Sequence, residues 1–162
     1  MDRYHATSGV RFGIHMIRDG KKIPSDVKDN IPKIVEKLSP DKEISALYVF
    51  GSVAKENLNP LSDLDFGVLL SCKLSKKKRF SKHLQLIGIF CDTFHTDEID
   101  IVVMNDAPIY FCYNIMRSGK LLFVRNKSEL IDFHENIVKK HLDFIYYRNQ
   151  YDDAFLKGIG YK

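Results

Sequence analysis

Apolar residues along this chain alternate between the spacing of helices and the spacing of strands. Continuously apolar or period-two runs predict four strands, over residues 44–50, 63–70, 98–104 and 120–124. Helical spacing predicts helices over residues 27–38, 75–94, 108–118 and 126–156, and a turn of helix is expected after Gly51-Ser52. The resulting order, α-β-α-β-α-β-α-β-α, indicates a small mixed α/β or α+β domain.

The spacing also predicts which helix faces are buried. In the helix over residues 75–94, one apolar face is predicted from Phe80, Leu84, Ile87, Cys91 and Phe94. Pro32 indicates either a kink in the first helix or a helix that starts near Asn30. Gly119 is expected to cap the helix over residues 108–118.

The last predicted helix is rich in aromatic residues. Asn126 and Glu129 have the spacing of a capping box at its start. The aromatic residues farther along it are Phe144, Tyr146, Tyr147, Tyr151 and Phe155. They predict either an ordinary core or a surface that binds a partner.

The domain organisation predicted from these patterns has three parts. Residues 1–25 form an N-terminal extension, in which alternation from Val10 to Met16 predicts a strand. Residues 26–126 form the core, and residues 127–162 form a C-terminal helical segment that packs on the core or on a partner.

Composition and charge narrow the class of protein. The chain has 162 residues, 44% hydrophobic and 28% charged, as expected for one globular domain. A net charge of +4 favours an anionic partner such as a nucleotide, but direct nucleic-acid binding is not expected. No signal core or membrane-spanning run is found. Cys72, Cys91 and Cys112 are expected to be buried thiols of a cytoplasmic protein.

Acidic residues at two predicted strand starts suggest a metal site. Side chains alternate along a strand, so Asp63 and Asp65 share one face of the strand over residues 63–70. Asp100 has the same parity in the strand over residues 98–104, and it completes a three-carboxylate cluster if the strands are neighbours. Such a cluster needs a cation, and hard oxygen ligands suit Mg²⁺. Alternatively, Asp63 caps the loop, and Asp65 and Asp100 are solvent-facing strand residues.

The Gly51-Ser52 pair has a different chemical use. It follows a predicted strand directly, where the backbone must turn into a helix. Glycine allows close approach to a phosphate, and a serine hydroxyl with nearby N–H groups can bind a polyphosphate. Such a pair alone is usually a turn, and its significance comes from the aspartates that follow.

Gly51-Ser52, ten further residues, the sequence Asp63-Leu64-Asp65 and a later strand with Asp100 together resemble the signature of the DNA polymerase β-like nucleotidyltransferases. The resemblance covers roughly residues 44–125, and the chain is most similar to the minimal nucleotidyltransferases, which are antitoxins to HEPN-domain toxins. It implies an α+β nucleotidyltransferase fold with a mixed sheet of about four to five strands flanked by helices. One departure is Lys55-Glu56, where the family often has a second glycine.

This resemblance implies Mg²⁺-dependent transfer of AMP from ATP, with two ions and with pyrophosphate leaving. By position, Asp63 and Asp65 would hold the ions that bind the triphosphate, and Asp100 the ion that activates the acceptor. Gly51 and Ser52 would hold the β- and γ-phosphates. In the antitoxin members the acceptor is a tyrosine of the cognate toxin, an RNase.

Two other functions are compatible with the same residues. The first is nucleotidyl transfer to a small molecule such as an aminoglycoside. The second is a non-catalytic module that binds a nucleotide or neutralises a partner by binding alone. The small size of the chain favours a partner protein as acceptor, because such a partner brings its own binding surface.

Overall fold

The computed structural model describes residues 27–54 and 63–160. Its elements are α1 (Val27–Leu38), β1 (Ile44–Phe50), α2 (Gly51–Ala54), β2 (Leu64–Leu70), α3 (Lys76–Phe94), β3 (Ile99–Val103), α4 (Ile109–Ser118), β4 (Lys120–Val124) and α5 (Lys127–Gly158). This order agrees with the predicted alternation of helices and strands. The predicted strand within residues 1–25 and the Lys55-Glu56 pair lie outside the described residues.

The strands form one mixed sheet. In the described ranges it has four strands in the order β3-β2-β1-β4. β1 is antiparallel to both β2 and β4, whereas β2 is parallel to β3. The predicted α+β fold with a mixed sheet flanked by helices is therefore confirmed.

One face of the sheet packs against α1 and α3. Leu64, Phe66, Val68 and Leu70 of β2 are at most 1% exposed on this face, as their alternation predicted. The ring of Phe66 lies 4.7 Å from that of Phe90 in α3, between centroids. This aromatic packing holds α3 against β2.

The opposite face packs against α4 and α5. Its buried residues are Ala46, Tyr48, Leu69, Met104, Cys112, Ile115 and Ile137. Gly67 of β2 lies beneath α4, where an added Cβ would be 3.1 Å from Ile115 Cγ2. The strand face that carries the aspartates is therefore covered by α4 from Gly67 onward, and it remains open only at the beginning of β2.

The predicted buried face of α3 was wrong except at Phe94, which is fully buried. Phe80, Leu84 and Ile87 are 63%, 55% and 36% exposed, and Cys91 is only partly buried. The buried residues of α3 are Lys82, Leu86, Phe90, Thr93 and Phe94. The helix has two apolar stripes, and packing of Phe90 and Phe94 on Phe66 selects the second one. That choice buries Lys82, whose ammonium group binds Asp41 at 2.5 Å and Glu43 at 2.9 Å.

Two smaller predictions need correction. α1 begins by Val27 with Pro32 inside it, so the alternative start near Asn30 is wrong. Cys112 is buried as expected, but Cys91 is partly buried and Cys72 is exposed, so the expectation of three buried thiols holds for one of them. All three cysteines are free.

The start of α5 is fixed by its cap and by a partly buried carboxylate. Asn126 Oδ1 accepts a hydrogen bond from the Glu129 N–H at 3.2 Å, which confirms Asn126 as the N-cap. The Glu129 carboxylate accepts hydrogen bonds from the hydroxyls of Ser45 and Ser71, and from Cys72 Sγ. These contacts join α5 to β1 and to the end of β2. Burial opposes ionisation of Glu129, but these hydrogen bonds outweigh it and lower its pKa.

The second half of α5 lies beyond the core. His141 is its last buried residue, and its ring stacks on that of Tyr113 in α4 at 3.7 Å between centroids. Residues 146–160 are all exposed. The aromatic residues of this half therefore do not form the ordinary core that was one of the two predictions. No helix within residues 27–54 and 63–160 is long and apolar enough to cross a membrane.

Candidate active site

The five residues predicted for the site lie where three elements meet. Gly51 and Ser52 open α2 directly after β1. Asp63 immediately precedes β2, because the strand begins at Leu64, one residue later than predicted. Asp65 is the second residue of β2, and Asp100 is the second residue of β3.

The register of β2 and β3 brings two of the aspartates together. Asp65 and Asp100 are paired residues of this parallel ladder. The Leu64 N–H donates a hydrogen bond to the Glu98 carbonyl oxygen at 3.1 Å, which fixes the register at its start. Paired residues in a parallel ladder point to the same face, and neighbouring strands lie about 4.8 Å apart. The expectation that these strands are neighbours with matching parity is confirmed.

Gly51 lies directly against Asp65. Its φ is +68°, in the left-handed region that favours glycine. A Cβ at this position would lie 2.0 Å from Asp65 Oδ2, far inside van der Waals contact. Only glycine therefore lets the backbone between β1 and α2 approach this carboxylate so closely. The sequence singled out both residues, but their contact with each other is a finding of the structure.

Ser52 connects the same turn to Asp63. Its Oγ donates a long hydrogen bond of 3.4 Å to the backbone carbonyl oxygen of Asp63. The beginning of α2 and the beginning of β2 are thus held together although ten residues separate Ser52 from Asp63 in the sequence. All five predicted residues therefore belong to one end of the sheet.

The three carboxylates differ in exposure. Asp63 and Asp65 are half-buried, whereas Asp100 is exposed, and each makes a polar interaction of its own. Across residues 27–54 and 63–160, no three His, Cys, Asp or Glu side chains are already arranged closely enough to hold a metal ion. The all-oxygen donors and the paired positions of Asp65 and Asp100 nevertheless fit Mg²⁺. Metal binding by the three aspartates remains a prediction.

An aromatic pair borders this end of the sheet. Phe50, the last residue of β1, is paired with Asp65 across β1 and β2 and so shares its face. The ring of Phe111 in α4 packs edge-on against that of Phe50, with 5.7 Å between centroids. Neither residue was predicted from the sequence. Phe50 could have been found from its position before Gly51, but nothing in the sequence connects Phe111 to the site.

The chain is similar to known proteins. The family model for "Polymerase beta, Nucleotidyltransferase" matches residues 32–128, which is more than half of the chain. A curated relative, the protein adenylyltransferase MntA of Aphanizomenon flos-aquae (strain 2012/KM1/D3), is 27% identical over 129 residues. The match covers 69% of this chain and 83% of that relative.

Solved structures support the same fold. One, a toxin–antitoxin with AMP-PNP, matches with a TM-score of 0.60 at 18% identity, covering 80% of this chain and 98% of that chain. Another, a tri-AMPylated Shewanella oneidensis HEPN toxin in complex with MNT antitoxin, matches with a TM-score of 0.57 at 19% identity and the same two coverages. At these identities the structures show the fold, and the family match adds the class of enzyme. The chain belongs to the polymerase β nucleotidyltransferase family.

Proposed function

We propose that this nucleotidyltransferase is a Mg²⁺-dependent protein adenylyltransferase. It transfers AMP from ATP to a tyrosine hydroxyl of a HEPN-type toxin and thereby acts as the antitoxin of a toxin–antitoxin pair. The observation that carries the proposal is the register that pairs Asp65 with Asp100, with Gly51 packed on Asp65. The name of the curated relative and the AMPylated complex among the structural matches support the choice of nucleotide and acceptor.

Each site residue has a distinct role in this proposal. Asp63 and Asp65 hold the Mg²⁺ that binds the triphosphate, and Asp100 holds the Mg²⁺ next to the acceptor. When bound, the metal supplies positive charge that stabilises the attacking and leaving oxygens of the displacement. The half-buried position of Asp65 and the exposed position of Asp100 fit these roles, because the acceptor must approach from solvent.

Gly51 and Ser52 position the β- and γ-phosphates. Without a Cβ, Gly51 brings the backbone N–H groups of the turn next to the Asp65 carboxylate, so phosphates bound at these N–H groups would lie beside the aspartates. The Ser52 hydroxyl makes only a weak bond to Asp63, which a phosphate oxygen can replace as the acceptor.

The reaction is a displacement at the α-phosphorus. The acceptor oxygen bonds to this phosphorus as the bond to the pyrophosphate oxygen breaks, and the hydroxyl proton is released. The products are the AMPylated protein and pyrophosphate. The chain's own contribution is to hold the phosphates and the acceptor in line, which is the main source of catalysis in phosphoryl transfer.

Replacement of the aspartates by asparagine tests this proposal. The Asp63→Asn/Asp65→Asn and Asp100→Asn variants are co-expressed with the partner toxin and should lose both toxin neutralisation and AMP transfer. Asp92→Asn, at an exposed position of α3, is the matched control and should retain both. If the double variant still neutralises the toxin, the protein is a non-catalytic binding module and the proposed AMP transfer is wrong. Pyrophosphate release with Mg-ATP and an aminoglycoside, without any protein acceptor, would instead favour the small-molecule enzyme.

A further inference from the structure

The second half of α5 is a helix without a core beneath it. Beyond His141, it contacts little else in the part of the chain that the structure describes, yet it carries many large apolar side chains. Those more than one third exposed are Leu142, Phe144, Tyr146, Tyr147, Tyr151, Phe155, Leu156 and Ile159. A soluble monomer rarely exposes so much contiguous apolar surface, so this half of α5 needs a binding partner.

Four of these side chains form a continuous stripe. At 3.6 residues per turn, Phe144, Tyr147, Tyr151 and Phe155 fall on one side of the helix. They are 49%, 68%, 72% and 56% exposed, respectively. Their spacing of three, four and four residues is that of a seam between two packed helices. We call these four residues the aromatic stripe.

Charged residues border the aromatic stripe on both sides. Asp143 lies along one edge, and Arg148 and Asp152 lie along the other, whereas Lys157 lies farther round the helix. The edge with Arg148 and Asp152 therefore carries one acidic and one basic residue. When two identical helices pack antiparallel about a two-fold axis, each edge faces the same edge of the other copy. Opposite charges on one edge can then pair between the copies.

The charged edge and the aromatic stripe require nearly the same alignment of the two copies. When position 150 faces position 150 of the second copy, Arg148 faces Asp152. The aromatic residues fit this alignment to within two positions, because Phe144 then lies beside Phe155 of the second copy and Tyr147 lies beside Tyr151. In a parallel pair about a two-fold axis, opposite edges face each other, so Arg148 and Asp152 could not pair with each other between the copies.

We propose that the aromatic stripe is a self-association surface, on which a second copy of this chain packs antiparallel. Because aromatic side chains bury about 150–250 Å² each, eight of them at the observed exposures amount to roughly 1,000 Å². That area is enough for a specific interface. The two ion pairs between Arg148 and Asp152 that the two-fold axis generates set the orientation and the alignment.

Charge exchange tests the proposal. We expect the wild-type chain to sediment as a dimer at a concentration of about 100 μM. Arg148→Asp places like charges together at two symmetric positions and should weaken the dimer about tenfold. The double variant Arg148→Asp/Asp152→Arg restores opposite charges and should restore dimerisation. A monomeric wild-type chain, or a double variant that stays as weak as the single one, would overturn the proposal.

A change in the stripe itself provides an independent test. Tyr151→Ser removes an aromatic contact from each copy and should produce monomers, while the far-ultraviolet circular dichroism spectrum stays helical. Tyr146→Ser is the control, because Tyr146 is 60% exposed but lies outside the stripe. If Tyr151→Ser leaves the oligomeric state unchanged and abolishes toxin binding, the stripe binds the toxin and the proposed self-association is wrong.

Discussion

Replacement of Gly51 by alanine is the sharpest test of how the β1–α2 turn contributes to the site. The substitution adds a single methyl group at a position where φ is +68°. A residue with a Cβ is disfavoured in this left-handed conformation by about 1–2 kcal/mol. The added methyl group also meets Asp65 Oδ2 at 2.0 Å, so the carboxylate must move by about 1.4 Å to reach ordinary contact.

These two effects predict different losses in stability and activity. The backbone strain should lower the melting temperature by about 2–8 °C for a chain of this size. The displacement of Asp65 should lower AMP transfer about a hundredfold, because a shift of about 1 Å in a positioning group has effects of that order. Activity should therefore fall much more than the folded fraction at the assay temperature.

The assay combines thermal unfolding with AMP transfer at a temperature where the variant remains folded. Gly88→Ala is the matched control, because Gly88 lies in the exposed middle of α3 with no atom within 4 Å of an added Cβ. That control should gain about 0.5–1 kcal/mol in stability and keep full activity. If Gly51→Ala retains wild-type activity, the proposed role of the turn beside Asp65 is incorrect.

Two further predictions concern the rest of the fold. Glu129→Gln should cost about 1.5 kcal/mol at neutral pH, a fall of about 3–6 °C in melting temperature, because the charged acceptor for Ser45 and Ser71 is lost. Since folding lowers the pKa of Glu129, this stabilisation is present above about pH 4.5 and disappears as the pH falls through the lower native value. A difference from wild type that persists unchanged at pH 3 would contradict this. Burial raises the pKa of Cys112 to about 11, so a thiol reagent at pH 8 should label exposed Cys72 and leave Cys112 unmodified in the native protein. Labelling of both at equal rates, as detected by peptide mass mapping, would contradict the burial of Cys112.

The sequence was sufficient to predict the strands and the shared face of Asp65 and Asp100. Alternation along β2 separates Asp65 from Leu64 and Phe66 without any knowledge of the tertiary structure, because side chains of a strand point alternately to its two faces. The pairing of Asp65 with Asp100 needed one further fact, that β2 and β3 are neighbours. The close approach of Gly51 to Asp65 was not predictable, since it depends on the path of the backbone between β1 and β2.

Helix faces were harder to predict because periodicity does not decide between two apolar stripes. In α3, Phe80, Leu84 and Ile87 have helical spacing but are exposed, while Leu86 and Phe90 are buried. The selection comes from one aromatic residue of β2, Phe66, and from the ion pairs of Lys82, which the periodicity of α3 does not reveal. The same limitation hid the contact between Phe111 and Phe50.

The most direct test of the central claim is the mass of the partner toxin after incubation with this protein and Mg-ATP. The proposed function predicts that the toxin gains the mass of one or more AMP groups, that peptide mapping places them on tyrosine, and that Asp100→Asn abolishes the gain. The Asp92→Asn control should give the same modified toxin as wild type. A toxin that is neutralised while its mass stays unchanged would contradict AMP transfer as the activity of this site.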